Sequence, residues 1–391
     1  YEIGSGLVGS EMCIRDRLKS FGVVECEEDC QLPLDYENEV TLSNVIREYV
    51  CGNLGESYEY KKIRCEVIKL LIEYYRLLTQ EMDFQLKPDR LRLMERLPVP
   101  DLINGYLEEG AFHVFEREIG MLNHLPEYAN MPGIEPEQYW PIGEALWSFY
   151  NGSGRYSEGL EIFDACAQAA QQCDNALAAV RLQGLVAHML ISLGRPQAAM
   201  VRLKNSIKEC EALKCEDVLY SLIECRGICH DALKDSESAL KCFQIARAGY
   251  QALNNQRGCV IQDQLMLRQY RKLGDWDKGR EAARRALRGI DRDKDEHTMA
   301  NIMYETSELY LQTGEYGQAR EMACGAALRY AKRGEKRRLG RALFVAARAA
   351  KELHRYDDAV SYSKKAAEIY RGIGLSDGKE YQDFRKFIDG L

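Results

Sequence analysis

The sequence predicts an all-α protein in which six helix pairs, repeating with a period of 40, stack into a solenoid. One short motif recurs without insertion or deletion at 153–160, 193–200, 233–240, 273–280, 313–320 and 353–360. Self-similarity at a fixed period of this length is typical of repeat architectures. The small residues of each copy also keep a fixed spacing. Since one amphipathic helix pair cannot bury its own apolar stripe, neighbouring pairs have to stack, and the stack has a concave face.

A tight turn is predicted between the two helices of each copy. The turn position holds Gly154, Gly194, Lys234, Gly274, Gly314 and His354. Glycine gives the backbone the freedom that such a turn needs. Copy three departs most from the pattern, with Lys234 and Ser236 at its turn.

Small residues mark where the two helices of each copy should cross. Five positions after the turn, the chain has Gly159, Ala199, Ala239, Gly279, Ala319 and Ala359. Seven positions later it has Cys166, Ser206, Ala246, Ala286, Ala326 and Ala366. A larger side chain at these positions would push the two helix axes apart.

The pattern G-x-[YW]-x-x-[AG], with a small residue seven positions on, resembles the tetratricopeptide repeat. Its consensus has about 34 residues, so copies with a period of 40 are a longer variant. The resemblance covers residues 135–374. Residues 375–391 include the amphipathic stretch SDGKEYQDFRKFIDGL, and they are predicted to form the capping helix that terminal repeats need.

The N-terminal stretch 1–17, YEIGSGLVGSEMCIRDR, has no strand or helix period and does not form a signal peptide. Most of it reads as a translation of the transposon-type adapter used in sequencing libraries. We therefore interpret 1–17 as non-native and leave it out of the fold. On this interpretation the native gene continues upstream of Leu18.

Residues 18–53 are predicted to be the end of a winged-helix domain. A helix end is followed by a strand at 23–26, an acidic turn, a second strand near 31–36 and a helix opened by Thr41 or Ser43. A simple β-hairpin capping a helical array is the alternative.

The stretch LSNVIREYV (42–50) is similar to the segment that closes the winged helix of NB-ARC-type signal-transduction ATPases. Ile46, Arg47, Glu48 and Tyr49 match that segment. Ser43 and Asn44 stand where the family has His and Asp, and in the family that His senses the nucleotide phosphate.

The order of later segments also resembles that family. Residues 54–134 are predicted to be a helical linker region. It contains a long helix (60–83), a proline-containing stretch, and AFHVFEREIGMLNHLPEYA (111–129). The last of these is similar to a family signature and keeps Glu116, Glu118 and Leu122.

No catalytic or metal motif is found. The sequence has no phosphate-binding loop, HExxH, nucleophile elbow or CxxC pair. The cluster Cys225, Cys229 and His230, with Cys242 nearby, is spaced unlike a zinc site and reads as buried small side chains. We therefore expect no enzyme activity and no cofactor in this chain. ATP or ADP would belong to the upstream ATPase domain that the resemblance implies.

The concave groove is the predicted binding site. Its candidate residues are Arg181, His188, Glu224, Gln264, Arg268, Arg271, Tyr304, Glu308, Arg341, Arg348 and Lys351. In copy one, Glu144, Ser148 and Asn151 are expected to face inward as well. The cations of copies four and six should share one concavity with Glu308 between them. Such a groove suits an anionic peptide or protein partner. For any single residue, ordinary solvated surface is the alternative.

The composition bounds the function class. With a net charge of −8, the chain shows no sign of binding nucleic acid or a membrane surface. Its 14 cysteines are scattered singly, which fits a reducing cytoplasm. We predict a non-catalytic sensor or scaffold arm of a multidomain signalling or transcription-regulating ATPase, with that ATPase domain as a partner in cis. The alternative is a self-contained tetratricopeptide regulator that binds a signalling peptide or partner protein.

Overall fold

The computed structural model describes residues 58–88, 90–99, 103, 110–129, 131, 133–291, 295–376 and 378–390. Every regular element in these residues is an α-helix, and they contain no strand. Residues 1–17 and the predicted winged-helix end at 18–53 lie outside the described part of the chain, so the structure does not bear on either prediction.

Two helices precede the repeats. Helix α1 (Tyr58–Leu86) packs along the first repeat helix, and α2 (Ala111–Tyr128) packs on α1. Ile72 and Leu78 of α1 are fully buried in the same core as Phe115 of α2. The repeats and the preceding helices therefore share one core at this end of the solenoid.

The six predicted helix pairs are confirmed. Copy one is α3 (Pro136–Ser153) with α4 (Tyr156–Gln172), copy two is α5 (Ala176–Ser192) with α6 (Pro196–Leu213), and copy three is α7 (Glu216–Ala232) with α8 (Ser236–Ala252). Copy four is α9 (Gln256–Leu273) with α10 (Trp276–Gly289), copy five is α11 (Glu296–Gln312) with α12 (Tyr316–Lys332), and copy six is α13 (Lys336–Glu352) with α14 (Tyr356–Gly372).

The turns between helices use a left-handed residue at intervals of 20 along the chain. Positive φ angles occur at residues 154, 174, 194, 214, 234, 254, 274, 314, 334, 354 and 374. Lys234 has a φ of 65° and takes the same conformation as Gly194 at 73°. The turn of copy three therefore has the same backbone geometry as the turns of the other copies. Its unusual sequence means that a lysine, rather than glycine, adopts the strained positive φ there.

The small residues lie where the helices of a pair cross, as the sequence predicts. Ala199, Ala239, Ala319 and Ala359 are fully buried. After the last repeat, helix α15 (Lys379–Asp389) packs on α14. The Phe384 ring of α15 lies 4.7 Å from Phe344 and 4.9 Å from Tyr370, centre to centre. It covers the apolar face that the last pair would otherwise expose.

Candidate functional site

The first helices of the repeat pairs line a cavity of about 450 Å³ on the concave side of the solenoid. Its wall is built from positions that recur with the period of the repeat. One such row is Arg181, Ser221, Ile261, Asn301 and Arg341, and another includes Glu224, Gln264 and Tyr304. Positions three or four apart share one helix face, so these rows point into the same space.

Seven of the predicted groove residues line this cavity. They are Arg181, His188, Glu224, Gln264, Arg268, Tyr304 and Arg341. Two others, Arg271 and Glu308, are not part of its wall. They pair with each other at 3.9 Å, and the guanidinium of Arg271 also lies 3.4 Å from Glu305.

Arg348 and Lys351 lie in a different place. Both line a separate cleft of about 710 Å³ beside α15, together with Phe344 and Phe387. Arg341 of copy six therefore shares the cavity with Arg268 of copy four, whereas Arg348 and Lys351 of copy six do not line it. Helix α15 packs against copy six and gives its cations another neighbour: the Lys351 ammonium lies 5.3 Å from the Phe387 ring centre. Glu308 does stand between the two groups, 3.8 Å from Arg348.

The cavity wall is rich in cations. Among the described residues it carries seven Lys or Arg side chains, namely Lys87, Arg90, Arg181, Arg257, Arg268, Arg338 and Arg341. Three carboxylates accompany them, those of Asp217, Glu224 and Glu305. An uneven wall of this kind favours an anionic ligand.

Most of these arginines are held in place by a carboxylate. Arg268 Nε lies 2.6 Å from Glu305 Oε1, and Arg257 Nε lies 2.7 Å from Asp295 Oδ2. The charge of Glu305, with Asp231, holds the pKa of Arg268 above its ordinary value in spite of burial. These pairs fix the orientation of the guanidinium groups and leave the cavity wall ordered without a ligand.

In copy one, two of the three predicted inward residues bind the chain itself, whereas the third, Asn151, lines the cavity. Glu144 is fully buried, and its Oε2 accepts hydrogen bonds from the backbone N–H groups of Leu93 at 2.8 Å and Met94 at 2.9 Å. Ser148 donates its hydroxyl to Asp83 Oδ1 at 3.0 Å. The segment that follows α1 thus occupies the groove of copy one.

The pKa values of two further side chains in the wall, His188 and Glu224, are shifted by their surroundings. Burial, together with the charges of Arg181 and Lys87, lowers the pKa of His188 to about 4. Burial raises the pKa of Glu224, although its hydrogen bond from Gln262 and the nearby cations act in the opposite direction. At neutral pH His188 is therefore an uncharged ring, and its centre lies 4.9 Å from that of the Trp147 ring, with the two planes tilted by 58°.

Sequence reasoning missed one row of the wall. Asp217, Arg257 and His297 also recur with the repeat and line the cavity. They lie one helical turn before the row that contains the predicted Arg181 and Arg341, so extending the helical spacing by one turn would have found them. Lys87 was missed as well, and it lies outside the repeats, where the period gives no signal.

The cysteines of the cluster Cys225, Cys229 and Cys242 lie in buried, structural surroundings. Cys225 and Cys229 are buried, and their thiols contact the backbone carbonyls of Gly184 at 3.7 Å and Pro196 at 3.0 Å. Burial raises the pKa of Cys229 to about 11. Among the described residues, no three His, Cys, Asp or Glu side chains come together as a metal site requires. Within the same residues, no helix combines the length and apolarity needed to cross a bilayer.

Comparison with known proteins gives similarity in structure only. No protein-family model matches the sequence, and no curated protein matches it. A Rap protein solved in complex with Competence and Sporulation Factor is 16% identical, with a TM-score of 0.53, over 85% of this chain and 92% of that chain. Aspartyl phosphate phosphatase F from Bacillus subtilis is 13% identical, with a TM-score of 0.50, over 93% of this chain and 89% of that chain.

A multidomain protein is also similar. It is a signal transduction ATPase with numerous domains and a tetratricopeptide repeat sensor, from Pyrococcus horikoshii. It is 14% identical, with a TM-score of 0.47, over 88% of this chain and 54% of that chain. The conclusion on fold rests on the first two structures and on the helix pairs themselves. The chain is an α-solenoid of the tetratricopeptide type.

Proposed function

We propose that this chain binds an acidic peptide, or an acidic segment of a partner protein, in the cavity on the concave side of the solenoid, whose wall includes residues of all six copies. The observation that carries the proposal is the cavity wall, in which seven cations accompany three carboxylates. The wall also offers apolar contacts from Trp147, Leu185, Ile228, Ile261 and Leu265. Apolar surface beside oriented polar groups is typical of a ligand pocket.

The wider role that we propose is that of a sensor or regulatory arm in cytoplasmic signalling, without catalysis of its own. The Rap structure, solved with Competence and Sporulation Factor bound, supports a binding role for a solenoid of this kind. The similarity of LSNVIREYV (42–50) to NB-ARC-type ATPases favours an arm that acts on an ATPase domain in cis, for example in transcription control. ATP or ADP would then bind that domain.

A self-contained regulator is the second candidate, and the organisation of the gene separates the two. A phosphate-binding loop encoded upstream of Leu18 would establish the ATPase arm. A start codon near Leu18 would establish the self-contained regulator. Both candidates use the same cavity.

Peptide binding is tested with random hexapeptide pools. The full chain should retain a pool enriched in Asp and Glu more strongly than a pool enriched in Lys and Arg, and added salt should weaken that retention. Ile228→Glu places a negative charge in the cavity wall and should weaken binding of the acidic pool by about tenfold or more, an effect of roughly 1.4 kcal/mol.

Ile245→Glu is the matched control, since Ile245 is 49% exposed on the outer helix α8. It should leave binding unchanged. Equal losses in the two variants, with folding intact by circular dichroism, would contradict the cavity as the binding site. Failure of both pools to bind would contradict the function itself.

A further inference from the structure

Lys87 brings a charge from outside the repeats into the cavity. It directly follows α1, and its side chain lines the cavity wall. The arginines around it have carboxylate partners, as with Arg257 and Asp295 at 2.7 Å or Arg338 and Glu335 at 2.7 Å. Among the described residues, the Lys87 ammonium makes no ion pair or hydrogen bond. Among the described residues of the wall, Lys87 is therefore the cation that can pair with a ligand without losing another partner.

The side-chain amide of Gln264 is a second polar group in the wall without a hydrogen-bond partner for its N–H donors. Gln264 is 5% exposed and lines the cavity, and its Nε2 has no hydrogen-bond partner among the described residues. A buried N–H donor without an acceptor is unfavourable. A ligand that offers a carbonyl or carboxylate oxygen at this point would satisfy it.

Three cations act on the same part of the cavity. The charges of Arg257, Arg181 and Lys87 all favour the ionised form of the Glu224 carboxyl group. Arg181 and Lys87 also both disfavour a protonated His188. The Arg181 guanidinium is oriented by Ser221, to which its Nη1 donates at 2.9 Å, and by the buried Glu144, whose Oε1 lies 3.5 Å from its Nε. All three side chains line the same cavity as Gln264.

We propose that Lys87, Arg181 and Arg257 hold a carboxylate of the bound peptide, and that the Gln264 amide donates to a neighbouring peptide oxygen. The carboxylate is either the peptide's C-terminal group or an Asp or Glu side chain. This inference rests on the proposed function. It makes the end of α1 part of the ligand site, so one bound peptide joins the helix before the repeats to copies two to four.

The shifted pKa of Lys87 gives the stability of the chain a pH dependence. Burial, aided by Arg257, lowers the pKa of Lys87 from 10.5 to about 8. Between pH 8 and 10.5 the unfolded chain binds more protons than the folded chain, so the stability due to Lys87 rises with pH in that window. Below pH 8 the charged ammonium destabilises the fold. A lysine with only a structural role would stabilise it instead.

The test uses the full chain and three random hexapeptide pools. One pool has free C-termini and no Asp or Glu, one is amidated and contains Asp and Glu, and one is amidated and lacks both residues. Binding of either of the first two pools, and not of the third, is expected. The pool that binds identifies the source of the carboxylate.

Variants of Lys87 then test the residue itself. Lys87→Met should weaken binding of the retained pool by about tenfold or more and raise the melting temperature at pH 7, whereas Lys87→Arg should keep most of the affinity. The control Lys204→Met removes an exposed lysine of the outer helix α6 and should change neither quantity.

Equal affinity of wild type and Lys87→Met for the retained pool would overturn the carboxylate site while leaving peptide binding in place. Binding of all three pools alike would overturn it too. If no pool binds the wild type, the proposed function and this inference fail together. A lower melting temperature for Lys87→Met with unchanged binding would show that Lys87 is structural.

Discussion

Copy one and copies two to five present equivalent helix positions to very different neighbours. In copy one, Glu144 binds the backbone of residues 93 and 94 and is fully buried. Its equivalents in copies three and four, Glu224 and Gln264, line an open cavity. This position is therefore packed like a core in copy one, whereas in copies three to five it lines the cavity.

This difference shows that the repeat pattern determines the direction in which a side chain points but not the residues that it contacts. The segment 90–97 fills the groove of copy one because it is anchored on both sides. Arg90 and Arg92 pair with Asp83 of α1 at 2.7 Å, and Gln80 exchanges two hydrogen bonds with the backbone of Leu97, each at 2.9 Å. Among the described residues, no such anchored segment lies over copies two to five, so the groove stays open there.

The largest effect should come from removing the anchor of copy one. Asp83→Ala leaves Arg90 and Arg92 buried without their shared carboxylate, which should cost about 3–5 kcal/mol of unfolding free energy. Glu81→Ala is the control, since its partner Arg96 is 56% exposed, and it should cost about 1 kcal/mol or less. Urea unfolding measures both. Similar losses in the two variants would show that segment 90–97 is not held by Asp83.

Acid should destabilise the cavity region through His188. Its pKa is about 4 in the folded chain and about 6.5 when unfolded. The unfolded chain therefore binds more protons between these values, and stability is lost as the pH falls from 6.5 towards 4, by about 3 kcal/mol at pH 4. His188→Gln should remove this part of the acid sensitivity. Identical pH profiles of melting temperature for the two proteins would contradict the assignment.

The tightness of packing at the helix crossing should also differ between copy one and copy four. A Cβ atom at Gly159 would lie 3.0 Å from both Met189 Sδ and Tyr150 Cβ, whereas at Gly279 the nearest atom is 3.4 Å away, on Leu309. Gly159→Ala should therefore cost about 1 kcal/mol through overpacking. Gly279→Ala should stabilise the helix by about 0.5–1 kcal/mol. Thermal melting checks both, and the same sign for the two variants would mean that the crossings are equally packed.

The smallest effect concerns the turn of copy three. Lys234 has a positive φ that costs a residue with a side chain about 1 kcal/mol, and glycine adopts it freely. Lys234→Gly should raise the unfolding free energy by about 0.5 kcal/mol, because glycine also loses more entropy on folding. In contrast, Lys241→Gly, in the interior of helix α8, should lower the unfolding free energy by about 1 kcal/mol. A loss in both variants would show that the turn is not strained.

Much of this architecture is predictable from the sequence, because the period of 40 fixes both the helix pairs and their inward rows. It predicts Arg181, Glu224 and Gln264 as inward residues, and all three line the cavity. The partner of Arg268 could not be predicted, since its bond to Glu305 crosses between helices α9 and α11 and depends on their relative positions. The place of Lys87 in the cavity wall could not be predicted either, because it depends on how α1 packs on copy one.

The most direct test of the central claim is photo-crosslinking from three tyrosine positions. Tyr304 lines the cavity, Tyr316 lines the cleft beside α15, and Tyr356 is 49% exposed at an outer turn. Each is replaced in turn by p-benzoyl-phenylalanine, and the variant is irradiated with a biotinylated acidic hexapeptide pool. We predict a cross-linked product from position 304 and none from 316 or 356. Cross-linking from 316 or 356 with none from 304 would contradict the claim that this cavity is the binding site.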